Sequence, residues 1–183
     1  MTGAGSRGNP PVPLTSRPPK GWARHGGLLF AVGLSVWVVA ASQTAVPEAL
    51  PAPLRDHVKA ERFEVVTSIR GLPLGVRDGL QTLFASQTLD IAEPGAEFQR
   101  TDTSAGPKLP IRRLVAAGCS SDHCLVYYER GGSAQAWLIA LFHWTPAATR
   151  FEWGGHARGG LATIEDVRKA VLSGMAAAPV TSW

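Results

Sequence analysis

The sequence predicts an α+β fold, in which one small domain with an antiparallel β-meander packs against two or three helices, behind a single hydrophobic signal or anchor helix. Three observations predict this architecture. Near the middle of the chain, short turn-forming stretches separate three apolar runs, RRLVAAGC, CLVYYER and QAWLIALFHW. Two further segments carry apolar residues at helical spacing. At the start, an uncharged apolar stretch follows a basic, proline-rich tail.

The N-terminal region is typical of a secretory signal or a membrane anchor. Residues 1–25 are polar, basic and rich in proline, which predicts a disordered tail on the cytoplasmic side. Residues 26–41 are uncharged and close to the minimum length of a membrane span, about 17 residues. Small residues ending at Ala41 also suit signal cleavage, so a cleaved signal peptide and a retained anchor stay as alternatives. A buried core helix is a third alternative, which the flanking prolines oppose.

Positive charge is concentrated before the apolar stretch. The chain has 18 basic and 14 acidic residues, and four of the basic ones precede residue 26 with no acidic residue among them: Arg7, Arg17, Lys20 and Arg24. Subtracting those four leaves 14 basic against 14 acidic residues, so the remainder is neutral and we expect no nucleic-acid partner. The basic end stays in the cytoplasm, which sends everything from residue 42 onward to the periplasm or outside the cell. Arginine far outnumbers lysine and Asn9 is the only asparagine, a pattern typical of GC-rich bacteria.

The exported domain is predicted to span residues 61–176. A proline-rich linker over residues 42–60 precedes it, and a flexible C-terminus over residues 177–183 follows. Residues 54–62, which overlap the end of the linker, fit a short polar helix. Residues 63–69 have the β-branched content of a strand.

The next predicted elements are a helix and a weakly ordered stretch. After Pro73, the spacing predicts an amphipathic helix that buries Val76, Leu80, Leu83 and Phe84. Turn-forming residues around Phe98 then predict a short edge strand and an exposed loop over residues 92–110.

The meander and a C-terminal helix complete the predicted domain. Because both faces of QAWLIALFHW are apolar, we expect this strand to be covered twice, with helices on one face. Residues 149–153 supply another short strand. A final helix is expected to begin at a capping box of Thr163 with Asp166 and to end near Gly174. Its predicted buried stripe consists of Ile164, Val167, Val171 and Met175.

The two cysteines, Cys119 and Cys124, flank four residues of a predicted hairpin turn. An oxidising compartment would close them into a disulfide that stabilises the fold by roughly 2 kcal/mol. One alternative is a metal site that combines both cysteines with His123, His143 and His156. A reactive thiol paired with His123 or His143 is the other. Zinc sites usually space two cysteines more closely and add a second ligand pair, so we expect no metal. His123 is expected to be solvated in the loop, and His143 to be satisfied within its strand.

Aromatic side chains on the strands predict a ligand or peptide groove, provided that one sheet face is incompletely covered. The candidate ligand-binding residues are Tyr128, Arg130, Trp137, Trp153, His156 and Arg158. Core packing is the favoured use of the aromatic residues, because such residues are common on central strands that bind no ligand. The segment GGHARGG has the strand, glycine loop and helix order of a phosphate-binding loop. It lacks the chemistry of such a loop, because no Gly-Lys-Ser/Thr follows it and Glu165 and Asp166 would repel an anion. We interpret it as a flexible connector.

These patterns predict a non-catalytic bacterial envelope protein, tethered to the membrane through residues 26–41 or released, that binds a protein partner or a small ligand. The sequence contains no motif of a nucleophile elbow, a zinc-protease helix or a dinucleotide fold, and Glu129 and Glu152 lack any diagnostic spacing. We expect no cofactor. Two alternatives stay open. One is a small exported hydrolase or thiol enzyme that uses Cys119 or Cys124 with His123 or His143, and the other is an accessory subunit of a membrane complex.

Overall fold

The computed structural model describes four stretches of the chain, residues 49–102, 108–176, 180 and 182–183. The predicted cytoplasmic tail, the apolar segment, its cleavage site and the first part of the linker lie outside these residues. Among the helices of the described stretches, none is both long enough and apolar enough to cross a membrane.

Within the described residues, five antiparallel strands form one sheet in which each strand pairs with its neighbour in sequence. The strands are β1 (Glu64–Val66), β2 (Arg112–Cys119), β3 (His123–Arg130), β4 (Ala136–Trp144) and β5 (Thr149–Ala157). The helices are α1 (Ala52–Ala60), α2 (Leu74–Leu83) and α3 (Ile164–Leu172). The α+β class and the antiparallel meander predicted from the apolar runs are confirmed.

Helices cover both faces of the sheet, whereas the sequence predicted helices on one face. α2 packs on the first face, where the buried layer includes Val76, Leu80, Tyr128, Leu138, Ala140 and Phe142. α1 and α3 pack on the second face, where the layer includes Val58, Leu125, Tyr127, Ile139, Leu141, Val167 and Val171. Successive strand residues point to opposite faces, so strands as apolar as β3 and β4 need a cover on each side.

The two amphipathic helices begin where the sequence predicts. Pro73 precedes α2, and Val76 and Leu80 of that helix are completely buried. At the start of α3, the hydroxyl of Thr163 accepts the backbone N–H of Asp166, and the Asp166 carboxylate accepts the backbone N–H of Thr163. The predicted capping box is confirmed.

The predicted buried stripe of α3 is wrong at Met175. This side chain is 56% exposed. The helix ends at Leu172, and Gly174 then adopts a left-handed φ of +75°. A residue in that conformation ends the helical path, so Met175 does not continue the stripe.

β1 is shorter than the strand predicted over residues 63–69. It comprises only Glu64–Val66, after which a short 3-10 turn covers Ile69–Gly71. The hydroxyl of Ser68 accepts the backbone N–H of Gly71. This side-chain bond offers the backbone an alternative to the strand ladder and ends β1 early.

The edge strand predicted around Phe98 is wrong for the part of residues 92–110 that the structure describes. Strand-like pairing is limited there to one bridge between Ala92 and Arg113. Phe98 is buried, with the guanidinium of Arg113 4.7 Å from its ring centroid. Gly95 has a left-handed φ of +75°, which breaks the extended backbone that a strand requires.

The glycine-rich segment predicted as a connector is partly a strand. β5 continues through Gly154 and Gly155 to Ala157 and stays antiparallel to β4. A Cβ atom on Gly154 would lie 1.9 Å from the ring of Trp183. Glycine therefore leaves room for the C-terminal tryptophan, and only residues 158–163 connect β5 to α3.

α1 lies in the second half of the predicted linker, where a short polar helix was expected over residues 54–62. Val58 is its buried residue. The guanidinium of Arg168 in α3 donates to the carbonyl of Val58 at 2.7 Å and to that of Lys59 at 2.5 Å. These bonds satisfy carbonyls that a helix end leaves unpaired, so α3 fixes the C-terminal end of α1.

Candidate functional site

His123, the first residue of β3, lies buried between two carboxylates. Only 4% of its side chain is exposed. Its Nδ1 atom lies 2.7 Å from Oε1 of Glu61, and its Nε2 atom lies 3.3 Å from Oε2 of Glu152. Nδ1 of His123 and Oε1 of Glu61 are within hydrogen-bond distance, so the imidazole and the carboxyl group form a hydrogen bond. The expectation of a solvated His123 is wrong, because α1 and β5 bring these carboxylates over it.

Glu61 follows the last residue of α1 and stands one helical turn after His57. Residues four apart share a helix face, and Nδ1 of His57 lies 3.2 Å from Oε1 of Glu61. The same oxygen therefore faces two imidazoles, whose ring centroids are 5.0 Å apart. The His57 side chain is 57% exposed, so it opens the group to solvent. We refer to His57, Glu61, His123 and Glu152 as the histidine–carboxylate cluster.

The turn between β2 and β3 holds this cluster in place. The hydroxyl of Ser120 donates to Oε2 of Glu61 and accepts the backbone N–H of His123 at 2.9 Å. The disulfide between Cys119 and Cys124 closes the same turn, with 4.1 Å between their Cα atoms. A covalent bond and short hydrogen bonds thus hold His123 and Ser120 in fixed positions.

Glu152 presents two carboxylate oxygens with different surroundings. Its side chain is 10% exposed. Oε1 accepts a hydrogen bond from the guanidinium of Arg150 at 2.5 Å. Oε2 is buried and has no hydrogen-bond partner among the described residues, although it faces Nε2 of His123 within ion-pair distance. A buried polar atom left without a hydrogen bond costs roughly 1–3 kcal/mol, so this oxygen calls for an explanation.

The disulfide predicted from the cysteine spacing is present. The strand register places Cys119 directly opposite Cys124, and these are both cysteines of the chain. In the closed bond, neither sulfur can act as a thiolate nucleophile or as a metal ligand. His123 and His143, the partners named in those alternatives, pack against each other instead, with ring centroids 5.4 Å apart.

The chain matches no protein-family model, no curated protein and no solved structure.

The predicted aromatic binding residues do not share one face of the sheet. Tyr128 is completely buried in the layer beneath α2. Trp137 and Trp153 belong to the layer on the opposite face, where Trp153 is also buried. Core packing, the use that the sequence favoured for the aromatic residues, accounts for Tyr128 and Trp153.

The predicted polar binding residues are likewise dispersed. Arg130 donates a hydrogen bond to the carbonyl of Ser182 at 2.9 Å. His156 is exposed near the end of β5, and the carbonyl of Arg158 accepts the hydroxyl of Tyr127. None of these three predicted residues contacts the histidine–carboxylate cluster through a hydrogen bond or ion pair in the described structure.

Both tyrosines of the chain are buried phenols. Burial raises the pKa of Tyr127 to about 12. Burial is also the main cause that raises the pKa of Tyr128, whose hydroxyl has no hydrogen-bond partner among the described residues. Neither phenol is suited to give up its proton near neutral pH, which fits a role in the core.

Sequence reasoning missed three members of the cluster. His57 and Glu61 carry one local signal, a histidine and a glutamate four residues apart on a short polar helix. Glu152 carries none that can be read from spacing. His123, the remaining member, was a candidate only as a possible partner of the cysteines. In the structure its partners are Glu61 and Glu152.

Proposed function

We propose that this chain is an exported, non-catalytic binding domain of the bacterial cell envelope, held at the membrane by residues 26–41 or released after their cleavage. The disulfide at the β2–β3 turn carries this proposal. Disulfides persist in oxidising compartments and are rare in the cytosol. The basic tail and the apolar stretch behind it support the same location by an independent route.

The histidine–carboxylate cluster at the disulfide-closed turn supports the binding role. His123 and Ser120 belong to that turn, and the cluster built on them opens to solvent at His57. Buried ion pairs are often no more stabilising than apolar packing, so fold stability alone does not account for this cluster. Within the described residues, no serine hydroxyl or free thiol bonds the ring of His123, so the nucleophile–base pair of covalent catalysis is not assembled there.

A topology reporter tests the location. Alkaline phosphatase needs disulfide bonds to fold, so its fusion after Trp183 should be active when expressed with the full chain. Deleting residues 1–45 from the same fusion should abolish that activity. If β-galactosidase, which works only in the cytosol, is active at the same fusion point while the phosphatase is inactive, the proposal is wrong.

The mass of the native protein tests the disulfide and the processing together. We expect the isolated protein to lack two hydrogen atoms relative to the reduced chain. A mass equal to that of a chain beginning at residue 42 would identify a cleaved signal peptide. The mass of the full chain would identify a retained anchor. If protein isolated with a thiol-blocking reagent carries that reagent on both cysteines, the disulfide on which the proposal depends is absent.

A further inference from the structure

The ligand atoms of His57, Glu61 and His123 all lie within 4.8 Å of one another. We propose that these three side chains bind a divalent transition-metal ion of the zinc class, with Glu152 as the residue that positions the imidazole of His123. The inference deepens the proposed binding role by naming its ligand. It rests on the proposed function only for the cellular compartment in which the protein would bind the ion.

The distances between the three side chains suit one ion. Nitrogen and oxygen ligands lie about 2.0–2.2 Å from zinc, which places tetrahedral ligands about 3.4 Å from each other. Oε1 of Glu61 lies 3.2 Å from Nδ1 of His57 and 2.7 Å from Nδ1 of His123. Side-chain movements of less than about 1 Å would open these two pairs to that spacing, and the ligand atoms of the third pair, His57 and His123, lie within 4.8 Å of each other.

The three candidate ligands stand on supported backbone. His57 and Glu61 project from the end of α1, which Arg168 fixes through the carbonyls of Val58 and Lys59. His123 stands at the start of β3, next to the disulfide. Ligands held in place by their surroundings lose little freedom when an ion binds, and this favours affinity.

Glu152 supplies an independent observation that points to a metal. Its Oε2 atom is buried, has no hydrogen bond to any residue that the structure describes, and faces the Nε2 side of His123. A histidine that coordinates a metal through one nitrogen commonly donates its other N–H to a carboxylate, which fixes the ring and makes it a stronger ligand. If Nδ1 of His123 coordinates the ion, the proton of the imidazole is on Nε2, which faces Oε2 of Glu152.

The chemistry of the donors selects the class of metal. Two imidazoles and one carboxylate suit zinc, copper, nickel and cobalt, whereas calcium and magnesium prefer sites made of oxygen atoms. Three protein ligands also leave one coordination position open. The exposed ring of His57 places the cluster at the surface, where an ion can enter from solvent.

Cobalt and zinc titrations of the full chain test the site. The protein is purified in detergent with its disulfide intact, treated with EDTA and then titrated with Co²⁺. We expect one equivalent to produce the visible absorption of tetrahedral cobalt, and one equivalent of Zn²⁺ to displace it. An ion-paired cluster without metal affinity would give no saturable absorption in natively folded protein, and that result would overturn the proposal.

Three variants separate the site from adventitious binding. His57→Ala removes an exposed ligand, so it should leave the fold intact and weaken Co²⁺ binding about tenfold or more. His156→Ala is the matched control, because it removes an exposed histidine outside the cluster and should leave binding unchanged. Glu152→Gln should weaken binding about 10–100-fold while the same absorption is reached at saturation. Equal affinity of His57→Ala and the unmodified protein would contradict the assignment.

The two proposals can fail separately. The titration uses purified protein and does not depend on where the chain is located in the cell. If the chain binds cobalt but its fusion is active only as the cytosolic reporter β-galactosidase, the proposed function is wrong and the metal site stands. An exported chain that binds no cobalt would overturn the metal site alone.

Discussion

Nδ1 of His123 lies 2.7 Å from Oε1 of Glu61, although 62 residues separate them in the chain. The contact joins the end of α1 to the turn between β2 and β3, and Ser120 adds a second bond from that turn to the same carboxylate. Since both partners are largely removed from water, the loss of either would leave buried polar groups without a hydrogen bond.

Replacing Glu61 by alanine should therefore destabilise the domain. The free energy of unfolding is expected to fall by about 1–3 kcal/mol, because the His123 imidazole loses a buried hydrogen-bond partner and the Ser120 hydroxyl loses one of its two acceptors. Urea unfolding followed by circular dichroism measures the change. Glu97→Ala, at an exposed position, is the control and should stay within about 0.5 kcal/mol. Equal stabilities of the two variants would mean that the contact contributes nothing.

Removing the disulfide should lower stability by a modest amount. The double variant Cys119→Ser, Cys124→Ser opens a small loop, for which the loss of constraint on the unfolded chain is worth about 2 kcal/mol. Urea unfolding of the oxidised protein and of the double variant gives the difference. Adding a reductant should destabilise the unmodified protein and leave the double variant unchanged. Coincident unfolding curves for all four samples would refute the prediction.

The two tyrosines should remain protonated at a pH at which free tyrosine ionises. Burial raises the pKa of Tyr127 from its usual 10 to about 12, and that of Tyr128 is also raised. The folded state thus favours the neutral phenol. Its stabilising contribution is complete below pH 10 and is lost as the pH rises from about 10 to 12.

Tyrosinate absorbance measures this shift directly, since the chain contains only these two tyrosines. We expect little tyrosinate absorbance from the native protein at about pH 10.5, roughly half a unit above the usual tyrosine pKa. The same protein in guanidinium chloride should give roughly three quarters of the fully ionised signal. Circular dichroism at each pH provides the control for folding. A native protein that ionises both phenols with a midpoint near pH 10 would show that the tyrosines are not buried.

The helix α2 offers a matched pair of leucines for testing the core. Leu80 is completely buried against the sheet, whereas Leu74 at the start of the same helix is 64% exposed. Leu80→Ala should cost about 2–5 kcal/mol, because it leaves a cavity in the layer shared with Tyr128 and Phe142. Leu74→Ala should change stability by no more than about 0.5 kcal/mol. Thermal unfolding of both variants distinguishes them, and similar losses would contradict the packing of α2.

Local patterns in the sequence were enough to predict the meander, α2, the capping box at Thr163 and the disulfide. Each of these depends on residues close together in the chain. Alternating apolar residues define a strand, a period of 3.6 defines a helix, and Cys119 and Cys124 are five residues apart. The same local rules failed at Phe98 and Met175, where side-chain packing and a left-handed glycine decide the outcome.

The tertiary structure alone decided which polar groups meet. His57 comes from α1, Glu61 from the residue that follows it, His123 from the start of β3 and Glu152 from β5. No spacing in the sequence connects these three elements. The second helical layer that brings α1 over this end of the sheet was also unpredicted, because apolar alternation shows that a strand is covered but not by which helix. Contacts between distant segments arise only when the whole chain packs, so the disulfide can be read from the sequence while the histidine–carboxylate cluster cannot.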